Sequence, residues 1–174
     1  MLPMVIKDSA RIRRVEPGEW ATVRRVRLAA LADAPEAFGS TLDRELGIEE
    51  ATWRDRIAGS PWFLAWRDGE PVGLVAVFTE PPGDGRRWHL VSMWVSPPVR
   101  GGGVADRLVT AVTAHVRAAG ASAVTLWVAA GNDRARGFYA RMGFRPTGNT
   151  QTYQRAGASN LDEVELALDL VGTG

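Results

Sequence analysis

The sequence predicts a mixed α/β fold, with an antiparallel start followed by alternating strands and helices. Three observations carry this. Trp62–Trp66 and Pro71–Thr79 are apolar runs joined by RDGE, a hairpin signal. Trp88–Val95 and Ala123–Val128 are apolar on both faces, as strands covered on two sides are. Val104–Ala119 and Asp133–Met142 carry helical spacing, and each stops at a glycine, Gly120 and Gly143.

The other elements follow in order. Ala10–Val15 reads as a short strand with Ile12 between charged neighbours. Pro17–Ala32 reads as a helix that opens on proline and repeats Trp20, Val23, Val26, Leu28 and Leu31 near helical spacing. DAPEAFGST, Asp33–Thr41, reads as a loop, and Ile48–Ala58 as a second, shorter helix. EPPGDGRR makes a turn before Trp88. Phe144–Thr147 and Val164–Leu170 finish as strands, with a polar, mobile stretch expected between them. No repeat or linker interrupts the chain. Residues 1–174 are therefore expected to form one domain, long enough to bury a core.

Composition excludes several chemistries. The formal net charge of +1 gives no bulk field for nucleic acid or an anionic membrane. There is no cysteine, which removes disulfides, thiolate nucleophiles and cysteine–zinc sites together. His89 and His115 are too few for a histidine-based metal centre, so no metal is expected. Lys7 is the one lysine, so a phosphate-loop or Schiff-base lysine would have to sit near a frayed terminus. No leader-like or spanning apolar stretch is present, and a cytoplasmic location is the default expectation. Oligomeric state is not legible, and a homodimer stays open.

VSPPVRGGGVADRLV, Val95–Val109, places three glycines between a buried strand and the first turn of a helix. Helix N-termini expose unpaired N–H groups, and glycines let a diphosphate touch them. A plain strand-to-helix turn would look similar. A Walker loop needs a lysine that is absent, and a dinucleotide fingerprint wants a small residue where Asp106 stands.

RGGGVA, Arg100–Ala105, fits the pattern Arg/Gln-x-x-Gly-x-Gly/Ala, and about thirty residues later stands NDRARGFYARMGF, Asn132–Phe144. In that order the two elements resemble the GCN5-related N-acetyltransferase (GNAT) superfamily over roughly 90–144. The resemblance implies a mostly antiparallel central sheet with splayed parallel central strands flanked by helices. It implies a cofactor-binding core at about 88–147 and acetyl-CoA as co-substrate. The pantetheine arm would pair with the main chain of Met93, Trp94 and Val95. That needs the strand 123–128 to splay away, for which a bulge is a usual device. The diphosphate would lie on the amides of Arg100, Gly101, Gly102, Gly103, Val104 and Ala105. Asn132 would bind the cofactor or cap its helix, and Tyr139, two turns further on, would share its face.

The resemblance also implies that Tyr139 is a general acid to the departing thiolate. With reference values of about 10 for tyrosine and about 8.5 for a thiol, that transfer is uphill by about 2 kcal/mol. Trp88–Val95 contains no carboxylate, so the family's strand glutamate is missing. His89, expected on one face with Val91, Met93 and Val95, is the nearest titratable group, with Glu80 or water as alternatives. Glu36, Phe38 and Ser40 fall where the acceptor loop would be. Trp20, Trp53 and Trp127 read as core, while Trp62, Trp66, Trp88 and Trp94 are candidates for the cleft. Phe138 and Met142 read as core. Arginines at 11–14, 24–27 and 86–87 read as solvated faces. The implied activity is direct transfer of acetyl from acetyl-CoA to a small-molecule or peptide amine, with no nucleic-acid or membrane partner. A non-catalytic acyl-CoA-binding or sensing module is the rival, and a nucleotide-binding protein a weaker one.

Overall fold

The computed structural model describes residues 9–79, 83–155 and 159–172; Lys7 and Glu80 lie outside them. Among the described residues seven strands form one sheet: β1 (Arg11–Arg14), β2 (Trp62–Arg67), β3 (Glu70–Thr79), β4 (Arg87–Val95), β5 (Ala123–Ala129), β6 (Arg145–Tyr153) and β7 (Leu161–Asp169). Their order is β1-β2-β3-β4-β5-β7-β6, and every neighbouring pair is antiparallel except β4–β5. The fold is the mixed α/β architecture with a mostly antiparallel sheet that the sequence implies. The β2–β3 hairpin turns on Asp68 and Gly69, at φ 51° and 79°, the left-handed pair that such tight turns demand.

Helices cover both faces. On one side lie α1 (Trp20–Asp33), α2 (Leu42–Leu46) and α3 (Glu50–Gly59). Val23, Val26 and Ala30 of α1 and Trp53 and Ile57 of α3 are buried there with Leu64, Leu74, Ala76 and Trp94 of the sheet. On the other side lie α4 (Val104–Ala118) and α5 (Asp133–Arg141). Leu108, Val112 and Val116 of α4 are fully buried beside Val75, Val77, Leu90, Val124 and Leu126. Two separate cores thus clamp the sheet, and burial of the apolar helix stripes supplies most of the drive.

β4 carries the irregularity that matters. Ala76 pairs with Val91 and Leu74 with Trp94, so Val75 of β3 faces two residues of β4, Ser92 and Met93. Ser92, the extra residue, has φ 59°. The insertion flips the alternation. Leu90, Met93 and Val95 face the α4 core, whereas Val91 and Trp94 face the α1 core. The expectation that His89 shares a face with Met93 and Val95 is therefore overturned; it sits across the sheet from them, beside Phe78. On its other edge β4 pairs with β5 only at Arg87↔Ala123, Trp88↔Val124 and His89↔Thr125. Past that point the two strands part.

Other differences are local. The first helix begins at Trp20 after a 3₁₀ turn at Pro17–Glu19, and α2 lies in a segment assigned to no element from sequence. β6 runs to Tyr153 rather than stopping at Thr147, so most of the stretch expected to be mobile is strand; residues 156–158 lie outside the described ones. All of β6 is exposed, and it lacks the alternation that marks a half-buried strand. Arg27 is buried, against its reading as part of a solvated face.

Gly73 marks how tightly β3, β4 and α4 meet. A Cβ there would sit 2.9 Å from the Trp94 carbonyl oxygen and 3.1 Å from Leu108 Cδ1. Gly73→Ala is expected to destabilise the fold by about 1–3 kcal/mol. Thermal unfolding checks this: a Tm lowered by several degrees is expected, and an unchanged Tm would mean that the strands shift freely.

Candidate active site

The parting of β4 and β5 opens a cleft of about 710 Å³ beside the N-terminal ends of α4 and α5. Met93, Trp94 and Val95 line it from β4, Arg100, Gly101, Gly103, Val104 and Ala105 from the glycine loop, and Asn132 and Tyr139 from α5. Glu36 and Phe38 reach it from the segment after α1. Three candidates are absent from its lining: Gly102, Ser40 and His89. Of the four tryptophans proposed for the cleft, Trp94 alone lines it; Trp88 stands edge-on to His115, and Trp66 lies under Arg13.

The loop is shaped by backbone rather than side chains. Gly101 and Gly103 adopt φ 77° and 84°, where other residues are strained, and a Cβ on either would meet open space. Gly103 is the N-cap of α4 and makes no side-chain capping bond, so the first-turn amides keep their anion-binding capacity. Asn132 does cap α5: its Oδ1 accepts from the Ala135 N–H at 3.1 Å. The Asn132 side-chain amide still has its N–H donors to offer to a ligand.

The profile of the acetyltransferase (GNAT) family matches residues 25–144. The chain belongs to this family. It is 33% identical over 145 residues to the mycothiol acetyltransferase of Streptomyces griseus subsp. griseus, a match covering 80% of this chain. The chain spans less than half of that relative, 44% of its length. Among solved structures it resembles an acetyltransferase of the GNAT family from Streptococcus pneumoniae, with TM-score 0.76 and 15% identity, covering 91% of this chain and 97% of that one. It also resembles yncA from Salmonella typhimurium, described with its cofactor acetyl-CoA, with TM-score 0.76 and 16% identity over 96% and 97% of the two chains.

In this GNAT member Tyr139 is both core and cleft wall. Its ring is buried edge-on against Phe138 and Phe144, with centroids 5.1 and 5.4 Å away. Burial pushes its phenol well above the ordinary tyrosine value, so it stands protonated as a donor. Phe138 and Met142 pack against the same core, and Phe138 also lines the cleft. His89 is held elsewhere. It is buried, its Nδ1 lies 2.9 Å from Thr125 Oγ1, and its ring is tilted on Phe78.

Sequence reasoning missed Asp33, the last residue of α1. Asp33 Oδ2 accepts from Trp94 Nε1 at 2.9 Å and from Arg100 Nη2, while Arg100 Nε donates to the Val95 carbonyl at 2.9 Å. One carboxylate thus ties the end of α1 to β4 and to the head of the glycine loop. The sequence separations of 61 and 67 residues leave no local signal. Arg155 adds a second strap, donating to the carbonyls of Pro35 and Phe38 at 2.8 and 3.1 Å.

The bonds from Trp94 and then Arg100 hold the Asp33 carboxyl below the usual aspartate range. A depressed value in the folded state gives stability that is full above about pH 4 and is lost as pH falls through the folded value. Asp33→Asn is therefore expected to be less stable than wild type near pH 6, with the gap narrowing toward pH 3. Urea unfolding at several pH values checks this; a gap that is constant with pH would remove the carboxylate from the network.

Proposed function

We propose that this chain transfers acetyl from acetyl-CoA to the amine of a small-molecule acceptor by direct attack. The observation that carries the reading is convergence. A glycine-shaped helix N-terminus, a β4 main chain released from β5 and a buried tyrosine all line one cleft. Residues 88–147 are read as the cofactor-binding core of one domain, and the acetyltransferase names of its relatives agree with this activity.

The diphosphate rests on the amides of Arg100 to Ala105, where the α4 dipole and the left-handed glycines favour an anion. The pantetheine arm pairs with the Met93–Val95 main chain in place of β5. The acceptor nitrogen attacks the thioester carbonyl carbon, the carbon–sulfur bond breaks, and the thiolate leaves with the electron pair. The Tyr139 hydroxyl donates to that sulfur. Its raised pKa makes full transfer harder than in water, but the same desolvation raises the thiol too. Hydrogen bonding to the developing charge is the larger part of its role. The nitrogen sheds its proton to water, His89 being off the cleft wall.

Tyr139→Phe keeps the ring packing against Phe138 and Phe144 and deletes the hydroxyl. Calorimetric binding of acetyl-CoA should barely change, while kcat should fall by about tenfold to a thousandfold. Full activity in a folded variant would remove the tyrosine from the mechanism. Equal losses in binding and rate would make it a structural residue.

A further inference from the structure

A second cavity, of about 300 Å³, opens on the opposite face of β4, toward α1 and α3. Arg27, Glu45, Arg56, Ser60, Trp62 and Ser92 line it, along with apolar residues of β3 and β4. Its charges do not balance. Arg27 donates from Nε and Nη2 to both oxygens of Glu45, at 2.9–3.3 Å, and Arg56 Nη1 stands 3.9 Å from Glu45 Oε2. Two guanidiniums therefore share one carboxylate, leaving one positive charge over.

The donors are in surplus as well. The Arg27 side chain is only 9% exposed, and its Nη1 is buried with no hydrogen-bond partner among the described residues. Trp62 Nε1, of a residue on the same cavity, is likewise buried without a partner among the described residues. Trp53, Trp66 and Trp88 also bury an unpartnered indole N–H, so the Arg27 guanidinium, the one charged group in this condition among the described residues, is the donor that calls for an acceptor. A structural role would need only the Arg27–Glu45 pair between α1 and α2. Arg56 packs its guanidinium 5.0 Å over the Trp53 ring, and the charge it brings to the cavity exceeds what that pair requires.

The position of the cavity gives those donors a use. Ser92 lines it, and Met93, the next residue, lines the cofactor cleft. The Arg27 guanidinium lies 4.7 Å over the ring of Phe38, which also lines the cofactor cleft. The two cavities thus lie on either side of the β4 bulge, divided by Ser92 and Met93 and by the Phe38 ring. Resting on the acetyl-transfer reading above, we infer that the acceptor is an amine that also carries a carboxylate. Its carboxylate is held by Arg27 and Arg56, and its nitrogen reaches the thioester at the bulge. A guanidinium edge suits a planar carboxylate, and a single negative charge neutralises the cavity where a phosphate dianion would overshoot.

The test compares L-amino acids with their matched carboxamides in a thiol-release assay. The carboxamide amine is the less basic and more often neutral, so intrinsic reactivity favours it. The wild type is expected to use the acids with kcat/KM at least about tenfold higher. Arg56→Gln, at a half-exposed position, should raise the KM for the acid about tenfold, with carboxamide kinetics and acetyl-CoA binding unchanged. Arg27→Lys should do the same if it folds, since it keeps the charge and loses the fork. Equal use of acids and carboxamides, or equal losses for both in Arg56→Gln, would overturn the inference. Calorimetric binding of the acid separates the two readings. Arg56-dependent binding without thiol release would fail the transferase and keep the site, whereas thiol release without acid preference would fail the site alone.

Discussion

Among the described residues the β4–β5 ladder ends at His89↔Thr125, and the site depends on the main-chain groups that this leaves on the β5 side of β4. Backbone donors and acceptors in a sheet interior cost free energy when unmet. Here they border a cleft, where a ligand's amides can take the place of the missing strand. The parallel geometry helps: β5 returns only after α4 has crossed, so its start is set by helix packing and not by a tight hairpin. β7 then pairs with β5 along its whole length, from Ala123↔Asp169 to Ala129↔Glu163, which holds β5 away while β3 holds β4.

The bulge at Ser92 works with this parting. By adding one residue it puts Met93 and Val95 on the α4 face and Trp94 on the α1 face, which Val91 before the bulge already occupies. Trp94 then reaches Asp33, and Asp33 reaches Arg100. The glycine loop is consequently fixed from outside itself. That resolves a tension in its composition, since three consecutive glycines alone would be entropically loose. The loop keeps bare amides for an anion while the Asp33–Arg100 pair and the Arg100–Val95 bond anchor its first residue.

Much of this was legible in the sequence because it is written locally. The glycine loop, the Asn132 cap and the Asn132–Tyr139 spacing each lie within a few turns of chain, and the two motifs together pointed to the family. The departures share one physical origin: they depend on pairing across long sequence separations. The face of His89 was misread because a single inserted residue inverts a strand, and Ser92 is no glycine to advertise it. The length of β6 was missed because its residues are exposed, and Thr147, Asn149 and Gln151 meet the buried Glu163 and Glu165 by hydrogen bonds, so the strand bears no apolar alternation. Arg27 passed for a surface residue because its partner, Glu45, lies 18 residues away in a helix too short to leave a periodic signal.

The central claim is that acetyl-CoA takes the place of β5 along the far end of β4. Amide hydrogen exchange, resolved over residues 91–96, 101–106 and 123–129 with and without acetyl-CoA, tests it most directly. Added cofactor is expected to slow exchange by about tenfold or more in the first two segments, as new hydrogen bonds form there, and to leave the β5 segment little changed. Slowing in the glycine loop with none in 91–96 would contradict the claim, because the cofactor would then be held by its diphosphate alone.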